Sequence, residues 1–365
     1  MKISPTERLD AVNIGLMLLS CAVAIVVPFE LFLFSYAILG PLHYLTEISW
    51  LHDKQYYSKR KYDGYVLLAI GLFITLANFA PKMGLEFPND TNFYLTGIAL
   101  LGAVLFAFVR SMFVRIAGFL LILLMVYAMR PDPDTKYESI SWLFLLVFLP
   151  TLVHVYLFTG LFMLFGALKS KSRLGVFSVI MLAACPFILW FVLPDFVPVA
   201  VTTYGKNAYV GNGVGFSGLN ETILSRYLDV TPDMSKIKSQ AEMNAFWTNA
   251  VFHSKAGILL MRFIAFAYTY HYLNWFSKTR IIQWHNVPKA RFAGVVALWL
   301  VSVGIYAYDY TAGLQWLFFL SFAHVLLEFP LNATSVAGIG KYFQQKFSGG
   351  SGKSGVPAGA GIKGK

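Results

Sequence analysis

The sequence predicts an all-α, polytopic membrane protein with about ten transmembrane helices, and three observations support this prediction. First, only 13% of the residues are charged, whereas a soluble globular domain carries about 25%, so the chain has too little polar surface to face water. Second, apolar residues form continuous runs that approach the roughly 20 residues needed to cross a bilayer. Third, the basic residues between these runs alternate along the chain in the manner of a membrane topology.

Ten apolar runs are candidate membrane spans, and each is continuous. Continuous runs predict helices, because a membrane β-strand alternates apolar and polar residues. The runs lie near residues 11–27, 31–51, 64–80, 93–109, 112–129, 140–166, 175–194, 246–277, 292–309 and 314–331. The first run is followed by no small-residue cleavage site, so we interpret it as a span and not as a signal peptide.

The basic residues predict that both ends of the chain lie in the cytoplasm. Cytoplasmic loops are enriched in Lys and Arg, and twenty of the 29 basic residues fall on the inner side when the N-terminus is placed inside. The net charge of +11 is then explained by loops that face anionic membrane lipids. Nucleic acid is therefore not an expected partner.

Residues 1–346 are predicted to form a single multi-pass transmembrane domain with one long external segment at 195–245. That segment contains a G-x-G-x-x-G match, but no strand–turn–helix unit surrounds it, so we expect a flexible loop and no dinucleotide site. Residues 347–365 are rich in Gly, Ser and Lys and predict a flexible, basic cytoplasmic tail. Cys21 and Cys185 lie within spans and match no disulfide or metal motif. Short loops and unpaired cysteines suit a bacterial inner membrane.

Four histidines fall well inside predicted spans, where an ionisable side chain costs about 2.5–3.5 kcal/mol and usually faces a partner or a cavity. They are His43, His154, His271 and His324, on the second, sixth, eighth and tenth spans. These four spans run from outside to inside in the predicted topology, so they can present four imidazoles at similar depth. Glu47 and Glu328 follow His43 and His324 at i+4, which places each on the same helix face as its histidine.

This pattern predicts a metal site. Neutral imidazoles bind iron, zinc or copper without burying a free charge, and a ligating histidine commonly passes its other N–H to a carboxylate. We therefore expect the four histidines as ligands and the two glutamates as orienting, coordinating or catalytic groups. Two alternatives stay open: interhelical hydrogen bonds or ion pairs with a structural role, and a proton pathway.

The sequence also supports expectations for the residues just before His43 and for Arg262, which lies in the middle of a span. Pro41 lacks an N–H and loosens the helix just before His43, and Gly40 leaves room for a ligand or a neighbouring helix. Arg262 is expected to neutralise one of the buried carboxylates or to extend toward the membrane surface.

Two short segments resemble a known family. The segment GPLHYLTE, which contains His43 and Glu47, resembles the histidine-and-acid signature of the Brp/Blh family of membrane β-carotene dioxygenases, and AHVLLEF, which contains His324, is similar to its late histidine-and-acid element. The resemblance implies a multi-pass helical protein that holds non-haem Fe(II) with His43, His154 and His271, and with His324 as a fourth ligand. Such enzymes cleave the central double bond of β-carotene with O₂ to give retinal. The family's paired His-x-x-x-His is replaced here, since Trp275 follows His271 at i+4.

We accordingly expect a membrane-embedded, non-haem iron oxygenase that uses O₂ on an apolar substrate from the lipid phase, such as a carotenoid cleaved to an apocarotenal. Two other classes could use the same residues: a proton-coupled transporter with a His/Glu relay, and a non-catalytic subunit of a membrane complex. Transporters often show internal repeats or paired broken helices, and no such pattern is evident in the sequence.

The predicted topology can be tested with reporter fusions. Reporters joined after Tyr57, Ser170 or Trp284 should read as cytoplasmic, because these positions lie in loops rich in basic residues. Reporters joined after Thr135 or Gly215 should read as external. A cytoplasmic signal at Gly215 would contradict the map and would reverse the eighth span, which carries His271, relative to the other three.

Overall fold

The structure is a computed structural model, and it is helical throughout its regular elements. It describes residues 4–54, 59–60, 62–80, 84–85, 87–88, 90–130, 144–192, 199–211, 215–279 and 283–348. The expected basic tail lies outside these residues from position 349 onward, as do positions 193–198 and 212–214 of the expected external loop.

The described residues form thirteen helices in chain order. The first seven are α1 (Pro5–Val26), α2 (Pro28–Asp53), α3 (Asp63–Phe79), α4 (Thr91–Phe108), α5 (Met112–Ala128), α6 (Phe144–Ser170) and α7 (Arg173–Val192). The other six are α8 (Thr203–Val210), α9 (Ser217–Tyr227), α10 (Gln240–Phe252), α11 (Lys255–Ser277), α12 (Lys289–Tyr308) and α13 (Tyr310–Phe347).

Seven of the described helices are long and apolar enough to cross a membrane, namely α1, α2, α4, α6, α7, α12 and α13. The pair α10 and α11 passes the same test together, with a bend of 62° between the two helices. The apolar helices α3 and α5 have 17 residues each. The apolar runs of the sequence thus fall on helices, while length and composition support seven spans, or eight with the bent pair.

The outer surface of the bundle is apolar in the manner of a lipid-facing surface. On α5, for example, Phe113, Leu120, Leu121 and Leu124 are each more than half exposed. A continuous apolar face of this kind is avoided by soluble monomers and is favourable against lipid tails. The lengths of the helices and the apolar outer surface therefore both indicate an integral membrane protein.

Two helices lie at the centre of the bundle. Helix α11 is buried around most of its circumference, as expected for a helix with neighbours on all sides. Helix α13 packs against α2, α3, α4, α6 and α12. His271 lies on α11, and His324 lies on α13, so two of the four histidines belong to helices that pack against several neighbours.

Three helices contain π-helical stretches, and each stretch contains or adjoins a proline. The stretches are Ser35–Leu39 in α2, Phe144–Phe158 in α6 and Ile188–Val192 in α7, and the prolines are Pro41, Pro150 and Pro186. A proline cannot donate the i→i−4 hydrogen bond, and a π-bulge is one way to accommodate the lost bond. The expectation that Pro41 loosens the helix before His43 agrees with the π-helical stretch that ends at Leu39.

Side chains from other helices bond the backbone carbonyls near the irregular part of α2. The Arg262 Nε donates to the Ile25 carbonyl at the end of α1 at 2.9 Å. Tyr310 Oη donates to the Leu33 carbonyl at 3.0 Å, and Trp299 Nε1 donates to the Ile38 carbonyl at 2.8 Å. These bonds satisfy backbone groups that a bilayer cannot satisfy.

The segment expected to be a flexible external loop is largely helical where the structure describes it. Helices α8 and α9 and the start of α10 lie there, and Tyr209 and Leu224 are fully buried. The Tyr209 ring meets the Phe29 ring edge-on at 5.3 Å, and its hydroxyl donates to the Asn220 side chain. The expectation of a flexible loop was wrong for these residues, because their apolar side chains complete the core beside α2.

A buried ion pair joins α3 and α5. The two guanidinium N–H groups of Arg115 reach the two carboxylate oxygens of Asp63 at 2.6 and 2.8 Å. Arg115 Nε also donates to the Val109 carbonyl at 2.8 Å. Arg115 is one of the twenty basic residues that the predicted topology places on the inner side, and in the structure its charge is paired with Asp63 inside the fold.

We expect Asp63→Ala to lower the stability of the protein by about 3–5 kcal/mol, because it leaves the buried Arg115 without its partner. Asp53→Ala is the matched control: it removes an ion pair with Arg291 of the same 2.6 Å length, but both of its side chains are more than a third exposed. Its loss should be about 0–1 kcal/mol. Unfolding in a detergent titration measures both, and equal losses would contradict the expectation.

Candidate metal centre

The four histidines predicted as ligands meet inside the bundle. Nε2 of His154 lies 3.1 Å from Nε2 of His324, and Nε2 of His271 lies 3.1 Å from Nε2 of His43. Ring centroids of neighbouring members are 4.8–5.4 Å apart, and all four side chains are buried. We call this group the histidine cluster. Nitrogens of His43, His271 and His324 all lie within 4.8 Å of one another, so these three could hold a metal ion.

Close helix packing brings His43 into the cluster. A Cβ added at Gly40 would lie 3.3 Å from the hydroxyl oxygen of Tyr272 on α11 and 3.1 Å from that of Tyr44. The two tyrosine hydroxyls are hydrogen-bonded at 2.8 Å. Gly40 therefore leaves room for the neighbouring helix, as the sequence predicted.

Aromatic rings pack around the cluster and fix its members. The Tyr44 ring stacks on His324 with centroids 4.3 Å apart and an interplanar angle of 25°. The Trp275 ring meets His43 edge-on at 5.5 Å, and its Nε1 donates to Thr46 Oγ1 at 3.0 Å. Trp275, which stands where the Brp/Blh pattern has a second histidine, therefore packs against a histidine of another helix.

The two glutamates lie beside the cluster but pair differently. Glu47 Oε2 is 3.1 Å from His43 Nε2, as the i+4 spacing predicted. Glu328 Oε2 lies 3.3 Å from Nδ1 of His154, so its described partner is on α6 and is not His324 of its own helix. The expected same-helix pair is corrected here: α13 packs against α6, and this contact decides where the carboxylate goes.

Thr159 fixes the tautomer of His271. The single hydroxyl proton of Thr159 is donated to the Val155 carbonyl at 2.8 Å. The 2.8 Å contact between Thr159 Oγ1 and His271 Nδ1 must then be donated by the imidazole. Nδ1 of His271 therefore carries the proton, and Nε2 presents a lone pair to the cluster. This is the arrangement in which an outer partner orients a metal-binding histidine.

Sequence reasoning missed Thr159. It begins the α-helical part of α6 directly after the π-helical stretch that contains His154. The hydrogen bonds of a π-helix run between residues five apart, so the faces of this helix cannot be assigned from a period of 3.6 residues. The available signal was Pro150 within the apolar run, which indicated an irregular helix.

The nitrogen spacing within each histidine pair is compatible with ligation of one metal ion. Two imidazole nitrogens that bind one ion at about 2.0–2.1 Å lie about 2.8–3.4 Å apart for right-angle to tetrahedral geometry. The two Nε2–Nε2 separations of 3.1 Å fall within that interval.

The charge of the site also fits a cation. Glu47 Oε2, Glu328 Oε2 and the Nδ1 atoms of His43, His154 and His324 are buried and make no aligned hydrogen bond within the described part of the chain. An unsatisfied buried polar group costs about 1–3 kcal/mol, and more when it is charged. One divalent cation would balance the two carboxylates, and its attraction would offset that cost.

A cavity of about 160 Å³ adjoins the site. His43, His271, Glu47 and Glu328 form one end of it, and Asn274 and Lys278 lie on the same wall further along the chain. Burial lowers the pKa of Lys278 to about 8, while nearby Asp10 and Glu328 act in the opposite direction. The side chain is therefore mostly a cation at neutral pH.

Fold and site together define a class: an all-helical integral membrane protein with four histidines and two glutamates buried between its helices. No family model matches the chain, and no curated protein or solved structure is significantly similar to it. The resemblance to the Brp/Blh family is therefore carried by the segments around the histidines alone.

We expect Thr159→Val to weaken metal binding by about 10–100-fold, because the variant removes the acceptor that keeps His271 Nε2 deprotonated. Thr151→Val is the matched control on the same helix, since its hydroxyl bonds only backbone carbonyls in the described contacts. Chelator competition on purified protein measures both affinities. Equal affinities in the two variants would show that Thr159 does not orient a ligand.

Proposed function

We propose that this protein is a membrane-embedded, non-haem iron oxygenase that acts on an apolar substrate from the lipid phase. One observation carries the proposal: four imidazoles and two carboxylates, contributed by four helices, are buried around one site. Each such group is costly inside a bilayer, and a structural role would not require them to converge. A bound cation accounts for all six at once.

The donor types favour iron among the common metals. Imidazole and carboxylate together form the usual ligand set of non-haem Fe(II) oxygenases, which leave positions open for O₂ and substrate. The resemblance to the Brp/Blh family supports the same metal. When bound, Fe(II) would supply the binding and activation of O₂. Cys21 and Cys185 are buried on α1 and α7 and are not needed for this chemistry.

The residues of the chain have separate tasks in this proposal. The histidine cluster holds the ion, and Thr159 keeps the proton of His271 on Nδ1. Glu47 is close enough to His43 to orient it or to share in coordination, and Glu328 orients His154. Tyr44 and Trp275 hold the rings of the cluster in place and exclude water, which would otherwise compete for the open positions.

Oxidative cleavage of a carotenoid to an apocarotenal such as retinal is the specific reaction we propose. The Brp/Blh resemblance supports it, as does the apolar and aromatic lining supplied by Trp50, Phe162, Trp275 and Leu331 around the cavity. Both the polyene and O₂ partition into lipid, so the membrane itself would deliver them to the site.

Iron content tests the proposal directly. Wild-type protein, purified after loading with Fe(II) in the absence of oxygen, should hold one iron per chain by mass spectrometry. His43→Ala, His154→Ala, His271→Ala and His324→Ala should each lose most of it while keeping the helical circular-dichroism signal. The exposed His52 and His285 give matched controls, and alanine at either should leave the iron unchanged.

An activity assay then separates the residues that hold iron from those that act in the reaction. In carotenoid-producing cells the wild type should consume carotenoid and release retinal or another apocarotenal. Glu47→Gln keeps size and hydrogen bonding but removes the charge, and it should lower activity by about 10–100-fold. A wild type without iron, with stable alanine variants, would contradict the oxygenase. It would favour a histidine relay, because Nε2 atoms 3.1 Å apart are also at hydrogen-bond distance.

A further inference from the structure

The cavity extends from the histidine cluster toward the C-terminal end of α11. His271, Asn274 and Lys278 all line it, and Lys278 directly follows the last residue of the helix. Seven residues separate His271 from Lys278, which corresponds to about 10 Å along a helix axis. The cavity therefore connects the proposed ion site with a cationic group at the end of the helix.

Two polar groups in this cavity have no task in holding a metal. Asn274 is buried, and its Oδ1 makes no hydrogen bond within the described residues. Lys278 forms no ion pair within 4.0 Å among the residues that the structure describes, although Asp10 and Glu328 lie near enough to act on its charge. Asn274 lies in the last turn of α11, and Lys278 is the residue that follows the helix, so both line the cavity at the same helix end. An amide and an ammonium that line one cavity form a site for a small anionic group.

The remaining lining is part polar and part apolar, and Glu47, Glu328 and Thr159 line the cavity together with His43 and His271. Trp50, Phe162, Trp275 and Leu331 form the walls between the polar end and the histidine cluster, and Trp275 is fixed by its bond to Thr46. The volume of about 160 Å³ is below the roughly 300–1,000 Å³ of sites that enclose a whole drug-sized ligand. It can enclose the head group and part of the chain of a single-chain molecule, but not an entire carotenoid.

We propose that the site takes a single-chain amphiphile with a carboxylate head group, and that Lys278 and Asn274 bind the head. The Asn274 amide can turn its NH₂ group toward the carboxylate, and the Lys278 ammonium supplies the opposite charge. The apolar walls then direct the chain toward the histidine cluster. This occupant is not β-carotene, which is a hydrocarbon without a head group, so it is an alternative to the carotenoid as the substrate of the oxygenase proposed above. The proposal rests on that oxygenase for the reaction, while head-group binding is independent of iron.

Photo-crosslinking tests head-group binding on the full-length protein in uncharged lipid nanodiscs. The probe is hexadecanoate with a diazirine in the middle of the chain, and the competitors are unlabelled hexadecanoate and hexadecanol. Hexadecanoate should compete at least tenfold better than the alcohol, because only the acid can use both polar groups. Labelled peptides should include the segments around Phe162 or Leu331.

Variants of Lys278 supply the decisive comparison. Lys278→Gln should abolish the preference for the acid, and Lys278→Arg should retain it, because the arginine keeps the charge. Lys289→Gln, at an exposed lysine outside the cavity, should behave as the wild type. If Lys278→Gln fails to fold, the wild-type comparison of acid and alcohol and the Lys278→Arg result decide the question alone.

Two outcomes would overturn the head-group assignment: equal competition by acid and alcohol in the wild type, or stronger competition by a lysophospholipid than by hexadecanoate. Iron measured in the same samples separates this proposal from the oxygenase. A carboxylate preference without iron would support the head-group site and contradict the oxygenase. Bound iron without any carboxylate preference would contradict the head-group site and leave the oxygenase standing.

Discussion

The burial of two carboxylates and four imidazoles inside a lipid-facing bundle is the constraint on which the rest of the structure depends. At this depth an isolated ionisable side chain costs about 2.5–3.5 kcal/mol, so the groups are stable only where they face one another. Helices α11 and α13, which each pack against several other helices, supply His271, His324 and Glu328. Helices α2 and α6 supply the other three, and the outer faces of the bundle are left apolar.

Two of the four imidazoles lie on irregular helices. The π-helical stretch in α6 contains His154, and the stretch in α2 ends four residues before His43. Such stretches disturb backbone hydrogen bonds where no water can replace them. Tyr310 and Trp299 donate to carbonyls beside the stretch in α2, so the polar side chains there support the backbone as well as filling space.

The sequence predicts those parts of the site that depend on one helix and misses those that depend on two. The contact between His43 and Glu47 follows from i+4 spacing, and the four histidines stand out because ionisable residues are rare in apolar runs. The partner of Glu328 is His154 of α6, which no local spacing could indicate. Thr159 was missed because a period of 3.6 residues does not describe a π-turn. Helices α8 and α9 were missed because their apolar residues are few.

Aromatic rings lie on one side of the histidine cluster and the cavity with Lys278 lies on the other, and this difference affects how a substrate could reach the cluster. Toward the N-terminal part of α2, Tyr36 packs against Phe216 and Tyr268 with ring centroids 4.7 and 6.1 Å apart. Toward the C-terminal end of α11 lies the cavity with Lys278. A molecule that enters along this cavity would meet the cation before it meets the histidines. If the polar end is held and the chain is directed inward, the distance between the two sites sets which carbon lies beside the ion. The polar end would then determine the position of reaction, which apolar contacts along a uniform chain cannot fix.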